Sequence, residues 1–227
     1  MNIQENLLTI KKKIATAAFN AERKTDSVKL LGVTKKQPLK AIHDAYLAGL
    51  CDFGENYLQE AQPKIKALSN YPIQWHFIGP IQSNKAKDIA RLFSWVHSVD
   101  RIKVAKLLHA GRQEHQDPLN ICIQVNIDNE PSKSGVSIES LHELIDAILP
   151  LDKLRLCGLM TMPQQKNYEQ NQKESFVRLR NLLVSTNNQY NLNLETLSMG
   201  TSQDYQSAIS AGSTIIRVGQ ALFGKRL

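Results

Sequence analysis

Three cysteines in 227 residues, Cys51, Cys122 and Cys157, are too few and too far apart to form a disulfide framework. They make no Cys-x-x-Cys or Cys/His pattern either, which leaves no metal-ligand spacing and reads as buried thiols of a reducing, cytoplasmic protein. No apolar run approaches the roughly 20 residues that cross a bilayer, so neither an anchor nor a membrane partner is expected. Aromatic residues make up only 6% of the chain. The basic residues, in net excess by +7, are spread out instead of interleaved with aromatics, which argues against a nucleic-acid platform. That surplus suits attraction of a small phosphorylated ligand. No Pro/Gly/Ser-rich stretch divides the chain, so residues 1–227 read as one domain. A Gly-x-Gly-x-x-Gly turn is missing, as is any Ser/His/Asp arrangement.

What the chain does have is a rhythm. Residues 1–22 carry helical spacing at Ile3, Leu7, Ile10, Ile14 and Ala17. Strand-like runs follow at 29–34, 51–54, 74–78, 95–99, 120–127, 154–160, 196–199 and 214–218. Between them lie amphipathic stretches at 39–48, 57–68, 84–93, 101–111, 137–149, 169–185 and 205–211. Polar stretches at 112–118, 164–173 and 186–193 read as surface loops or helix ends. Eight strands alternating with helices, after one extra N-terminal helix, predict an α/β fold of the (β/α)8 TIM-barrel type. An open, doubly wound sheet is the competing architecture, since local periodicity cannot show closure. The element count and the missing dinucleotide-binding turn favour the barrel.

Active sites of such barrels form at the C-terminal ends of the strands. The first strand ends in Thr34-Lys35-Lys36, and an amine at the mouth of a buried strand is costly to desolvate unless it is used. Schiff-base chemistry with a carbonyl cofactor is one such use; the other reading of the two lysines is the start of a solvated loop. The second strand ends in Gly54-Glu55-Asn56, the third carries His76, the fifth ends near Asn126 and the sixth at Met160. After the seventh, Ser198-Met199-Gly200-Thr201-Ser202 offers backbone N–H groups and hydroxyls where barrels often hold phosphate, with Asp204 starting the next helix. Arg217 and Gly219 close the eighth. His76 between Trp75 and Phe77 also reads as a hydrogen-bonded core histidine. Glu55 either orders the site or caps the next helix, and Lys133-Ser134-Gly135 is a lid or a plain loop.

Beyond their positions, these segments are similar to a family. Val33-Thr34-Lys35-Lys36-Gln37-Pro38, Phe53-Gly54-Glu55-Asn56-Tyr57, Trp75-His76-Phe77-Ile78-Gly79-Pro80-Ile81-Gln82-Ser83-Asn84-Lys85, Gly158-Leu159-Met160, Leu197-Ser198-Met199-Gly200 and Arg217-Val218-Gly219 resemble the signatures of the pyridoxal phosphate homeostasis proteins. These are single barrels like the N-terminal domain of alanine racemase, with the fold-type III mode of binding pyridoxal 5'-phosphate (PLP). The resemblance implies that Lys35, and not Lys36, carries PLP as an internal aldimine, with Asn56 beside the ring and Arg217 facing the pyridine nitrogen. It places Ser198, Gly200, Thr201 and Gly219 around the phosphate, and adds His76 and Met160 to the cofactor-binding set. Met199 and Thr201 depart from the family's commoner Ser-Leu-Gly-Met-Ser turn, a change that spares the backbone donors.

An arginine opposite the ring nitrogen keeps that nitrogen unprotonated and weakens carbanion stabilisation. Racemases of this fold add a tyrosine from a second domain, for which the 227 residues leave no room. The resemblance therefore implies a non-enzymatic PLP carrier, which either delivers PLP to apo PLP-dependent enzymes or only buffers it; the cysteines read as cytoplasmic, and the compact chain with its exposed opening helix as a monomer. The alternative is a small single-domain racemase that completes its site with His76, Tyr57 or a partner subunit.

Overall fold

The computed structural model describes residues 2–130, 133–163 and 169–224, so half of the polar stretch 164–173, residues 164–168, lies outside the described residues. Helix α1 (Ile3–Asn20) opens the chain, with the Asn2 side chain accepting from the amides of Gln4 and Glu5 as its N-cap. Then follow β1 (Lys29–Val33), α2 (Leu39–Leu47), β2 (Asp52–Glu55), α3 (Leu58–Ala67), β3 (Gln74–Phe77), and a 3-10 turn running into α4 (Ala86–Leu92). The second half comprises β4 (Trp95–Val99), α5 (Ile102–Gly111), β5 (Leu119–Gln124), α6 (Leu141–Ile148), β6 (Leu154–Met160), α7 (Glu169–Tyr190), β7 (Thr196–Thr201), α8 (Tyr205–Ser210), β8 (Ile215–Val218) and α9 (Gln220–Phe223).

The eight strands pair in parallel in sequence order, and β1 pairs with β8 with Leu31 opposite Arg217 and Gly32 opposite Val218. That last ladder closes the barrel and excludes the open sheet. Alternation along each strand sorts side chains into two cores. Outward residues such as Leu30, Phe53, Trp75, Phe77 and Val96 join the helices in the main apolar core. The second apolar cluster is small, consisting of Leu31, Ile78 and Ile215 with Val33 against them. Helix α1 adds Leu7, Ile10, Ile14 and Ala18 to the main core, and truncating Leu7 or Ile14 to alanine should cost about 2–5 kcal/mol.

The main departures from the sequence expectation each have a local reason. Strand β5 stops at Gln124 because the backbone beyond it pairs with a different segment: Val125 bridges Val136, and Val136 donates to the Gln124 carbonyl at 2.8 Å. That pairing keeps Val136 extended and delays α6 to Leu141. Helix α7 runs on to Tyr190, whose ring stacks on His142, so 186–190 are helical. Helix α9 is too short to show a period; Asn6 ties α1 to it by donating to the Leu222 carbonyl.

Candidate functional site at the barrel mouth

The turn after β1 separates the two lysines. The Thr34 amide still donates to Gly54 across the β1–β2 ladder, and Gln37 N–H closes the turn onto the Thr34 carbonyl at 2.9 Å. Lys36 adopts a left-handed φ of 59°, a cost of about 1–2 kcal/mol for a residue with a Cβ. The bond from its amide to the Glu60 carboxylate offsets this. Consequently Lys35 lines a cavity of about 270 Å³ at the mouth, while Lys36 lies in a separate surface groove with Pro38, Glu60 and Pro63.

A buried ion cluster holds this turn. Glu55 is fully buried, and its Oε1 accepts from the Thr34 hydroxyl at 2.6 Å and from Lys64 Nζ at 2.7 Å. Lys64 also donates to the Thr34 carbonyl at 2.8 Å and to Glu60 at 2.6 Å. Burial pushes the Glu55 carboxyl above its ordinary pKa, with the bonds from Lys64 and Thr34 pulling the other way. Glu55 thus orders the Lys35 turn and does not cap α3, whose N-cap Tyr57 makes no side-chain bond. Lys64 was legible only as one more cation on a helix; its i,i+4 spacing from Glu60 was the available signal.

Of the sequence-predicted residues, Lys35, Asn56, Thr201, Arg217 and Gly219 line the cavity. Val33, Ile78 and Met162 supply its apolar sides, and Ser202, Gln203 and Gln220 complete it. Among the described residues, Lys35 and Arg217 are the only charged lining groups, and no carboxylate lines it. At the β7 side, Gly200 has φ of +96°, and a Cβ there would stand 2.7 Å from that of Ala208, so only glycine lets the turn lie against α8. Thr201 donates both its amide and its hydroxyl to Asp204, at 2.5 and 2.9 Å. Ser202 Oγ instead accepts from Gly219 N–H at 3.3 Å, so its own proton remains to be donated. Ser202, absent from the predicted set, is therefore the better hydroxyl donor.

Arg217 is 3% exposed. Its Nη1 donates to the Ser198 carbonyl at 2.7 Å and to Ser198 Oγ at 2.8 Å, and its Nη2 donates to the Thr161 carbonyl at 2.9 Å. Burial lowers the guanidinium to about 10, so it stays cationic at neutral pH, and Nε–H faces no protein acceptor among the described residues. Ser198, Met160 and His76 do not line the cavity: all three are fully buried. Ser198 sits beneath Arg217. His76 lies deeper, with Nδ1 2.9 Å from His97 Nε2 and Nε2 3.0 Å from Asp52 Oδ1. His97, overlooked in the sequence, shares the inward face of β4 and reaches Ser198 Oγ at 2.7 Å. Tyr57 is 52% exposed and belongs to an adjoining groove with Pro80 and Lys85.

The Lys133-Ser134-Gly135 turn is tied to β5, Gln124 donating to the Ser134 carbonyl at 2.8 Å. Among the described residues no His/Cys/Asp/Glu cluster suits a metal, and no helix is long and apolar enough to cross a membrane. Larger grooves, of about 420 and 480 Å³, lie beside α1; the first gathers Lys12, Lys13 and small residues, and the second has Ile14, Val28, Leu30 and Leu50 among its lining.

A closed, parallel eight-stranded barrel wrapped in helices is the fold of the alanine racemase N-terminal domain, and the model of that family matches residues 2–226. The fold recurs in alanine racemase from Corynebacterium glutamicum, at TM-score 0.73 and 16% identity, covering 99% of this chain and 61% of that one. Likeness to single-barrel relatives is much greater. The pyridoxal phosphate homeostasis protein of Pseudomonas aeruginosa is 49% identical over 224 residues, covering 99% of this chain and 96% of the relative; that of Escherichia coli K12 is 40% identical over 228 residues, covering 99% and 97%. PipY of Synechococcus elongatus, solved with PLP bound, superimposes at TM-score 0.87 with 32% identity, covering 98% of this chain and all of that one. The chain belongs to the pyridoxal phosphate homeostasis protein family.

Proposed function

We propose that this protein binds PLP at the barrel mouth, with the aldehyde held in Schiff-base linkage by Lys35, and that it serves intracellular PLP homeostasis as a carrier without catalytic turnover. The observation that carries this reading is the composition of the cavity. One primary amine, one buried guanidinium, a hydroxyl- and glycine-rich turn and no carboxylate suit a small anionic aldehyde. Asn56 stands on one side of the cavity, Ser202 and Gly219 would serve the phosphate, and Arg217 would present Nε–H or Nη2–H to the ring.

PLP, when bound, supplies an electron sink whose strength depends on a protonated ring nitrogen. Arg217 can only donate hydrogen bonds, so it favours the unprotonated nitrogen. Lys35 and Arg217 are also the only titratable lining groups among the described residues, and that supports binding over two-base chemistry. His76 and Tyr57, the groups a single-domain racemase would recruit, do not line the cavity. Cytoplasmic location, a monomeric state and apo PLP-dependent enzymes as recipients belong to the same proposal.

Borohydride reduction of the PLP-loaded protein followed by peptide mapping tests the linkage: the pyridoxyl group is expected on Lys35, and an adduct on Lys36 overturns the assignment. Incubation with L- and D-alanine tests the absence of turnover. Sustained interconversion that Lys35→Ala abolishes would sink the carrier reading. Transfer to an apo-enzyme in the presence of an aldehyde trap, and sedimentation of the loaded protein, test delivery and oligomeric state.

A further inference from the structure

The interior of this barrel is unusual in its polarity, because such interiors are normally filled by layers of branched apolar side chains. Here the inward positions of five strands hold Asp52, His76, His97, Ser198 and Arg217, joined end to end. Strands β4 and β7 are not neighbours in the closed order, so the 2.7 Å bond between His97 and Ser198 crosses the interior. The chain descends from Arg217 at the mouth to Asp52 at the start of β2. There Asp52 Oδ1 also accepts from Lys29, 2.8 Å away at the start of β1.

The direction of every bond in this chain follows from its last member when both rings are neutral. The ionised Asp52 carboxylate has acceptors only, so His76 donates to it from Nε2–H and is an acceptor at Nδ1. That acceptor takes the Nε2–H of His97, whose Nδ1 is then an acceptor too. The Ser198 hydroxyl gives its single proton to His97 Nδ1, and its oxygen accepts from Arg217. Every link is satisfied in this direction, with a cation at one end and an anion at the other. Full burial lowers both histidines, that of His97 well below the ordinary range, which agrees with two neutral rings. Burial alone would raise Asp52, yet the bonds from His76 and Lys29 carry it below its ordinary value.

We propose that His97 and His76 are positioning residues for Arg217: anchored on Asp52 at the far end of the barrel, they fix the Ser198 hydroxyl as an acceptor and so set the plane of the guanidinium that faces the ligand. The ligand half of this inference rests on the PLP reading; the bond direction does not.

Nitrogen-15 spectra of histidine-labelled protein, recorded with and without added PLP, read the tautomers directly. Both rings are expected as Nε2–H, and an Nδ1–H tautomer at either ring overturns the relay even in the cofactor-free chain. The ligand half is read by titrating PLP into two variants. His97→Leu removes the acceptor for Ser198 and should weaken binding roughly tenfold, with a shifted absorption band of the bound cofactor. His97→Asn keeps an acceptor oxygen where Nδ1 stands and should recover most of that loss. A space-filling role gives the opposite order, because leucine matches the volume of imidazole better than asparagine does; that order, or equal losses, overturns the positioning role. Failure of the unaltered protein to bind PLP would reject the proposed function while leaving the tautomers to decide the relay.

Discussion

Replacing Lys64 with methionine removes the cation that holds the Lys35 turn while keeping the aliphatic stem. In the native cluster Lys64 neutralises Glu55, whose Oε1 it meets at 2.7 Å and whose Oε2 has no partner. Without Lys64, the fully buried carboxylate keeps only the Thr34 hydroxyl. Stranding one member of a buried ion pair costs about 3–5 kcal/mol. For a chain of this size each kcal/mol lowers Tm by about 2–4 °C, so a fall of roughly 10 °C is expected. Glu60 adds little, because it is partly exposed and rehydrates. The pH dependence has a fixed sign. A carboxyl whose folded pKa is raised takes up a proton on folding in mildly acidic solution, and losing Lys64 raises it further, so the deficit is full above the variant's folded pKa and shrinks as pH falls and the carboxyl is neutralised. Urea unfolding at pH 8 and pH 5.5 should therefore show the larger deficit at pH 8. Glu55→Gln combined with Lys64→Met should recover much of the loss, since a neutral amide carries no charge to desolvate. A single-variant deficit below about 1 kcal/mol, or one that the double variant fails to shrink, refutes this account.

Other perturbations probe the remaining parts. His76 and His97 have folded pKa values below the ordinary 6.5, so the unfolded chain binds more protons in acid. Stability then falls as pH drops below about 6.5, by up to about 1.4 kcal/mol per pH unit for each histidine. Glu55 acts in the opposite sense. The measurement is therefore the slope of Tm between pH 7.5 and 5.5 in wild type against His97→Gln, where the variant should be flatter and equal slopes reject the neutral pair. Gly79→Ala would set a Cβ 2.0 Å from the Asn56 carbonyl oxygen, backbone that cannot yield cheaply, so the cavity should lose PLP affinity along with about 1–3 kcal/mol of stability. Unchanged affinity, read by titration, rejects that. Burial raises the Cys122 thiol well above its ordinary value while Cys51 is exposed, so a thiol reagent at neutral pH should label Cys51 fast and Cys122 only on unfolding.

Local sequence determined most of the architecture. Strand and helix periods, the extra helix through Leu7, Ile10 and Ile14, and the clustering of polar residues after the strands all follow from backbone preferences and apolar spacing that act within a few residues. Lys35, Arg217 and the Ser198 to Ser202 turn stand out for the same reason: each interrupts an apolar run. Family resemblance could favour Lys35 over its neighbour. The physical separation of the two, however, depends on a left-handed turn whose anchors, Glu60 and Lys64, come from α3, beyond the next strand. Closure of the sheet was equally a matter for the tertiary structure, since it rests on the β1–β8 ladder between the two ends of the chain. So was the reassignment of His76 and Ser198 from the cavity to the chain beneath it, because alternation along a strand shows that a side chain points inward but not how deep it lies or what crosses the interior to meet it. Bonds such as His97 to Ser198, 101 residues apart in sequence, exist only once the barrel closes.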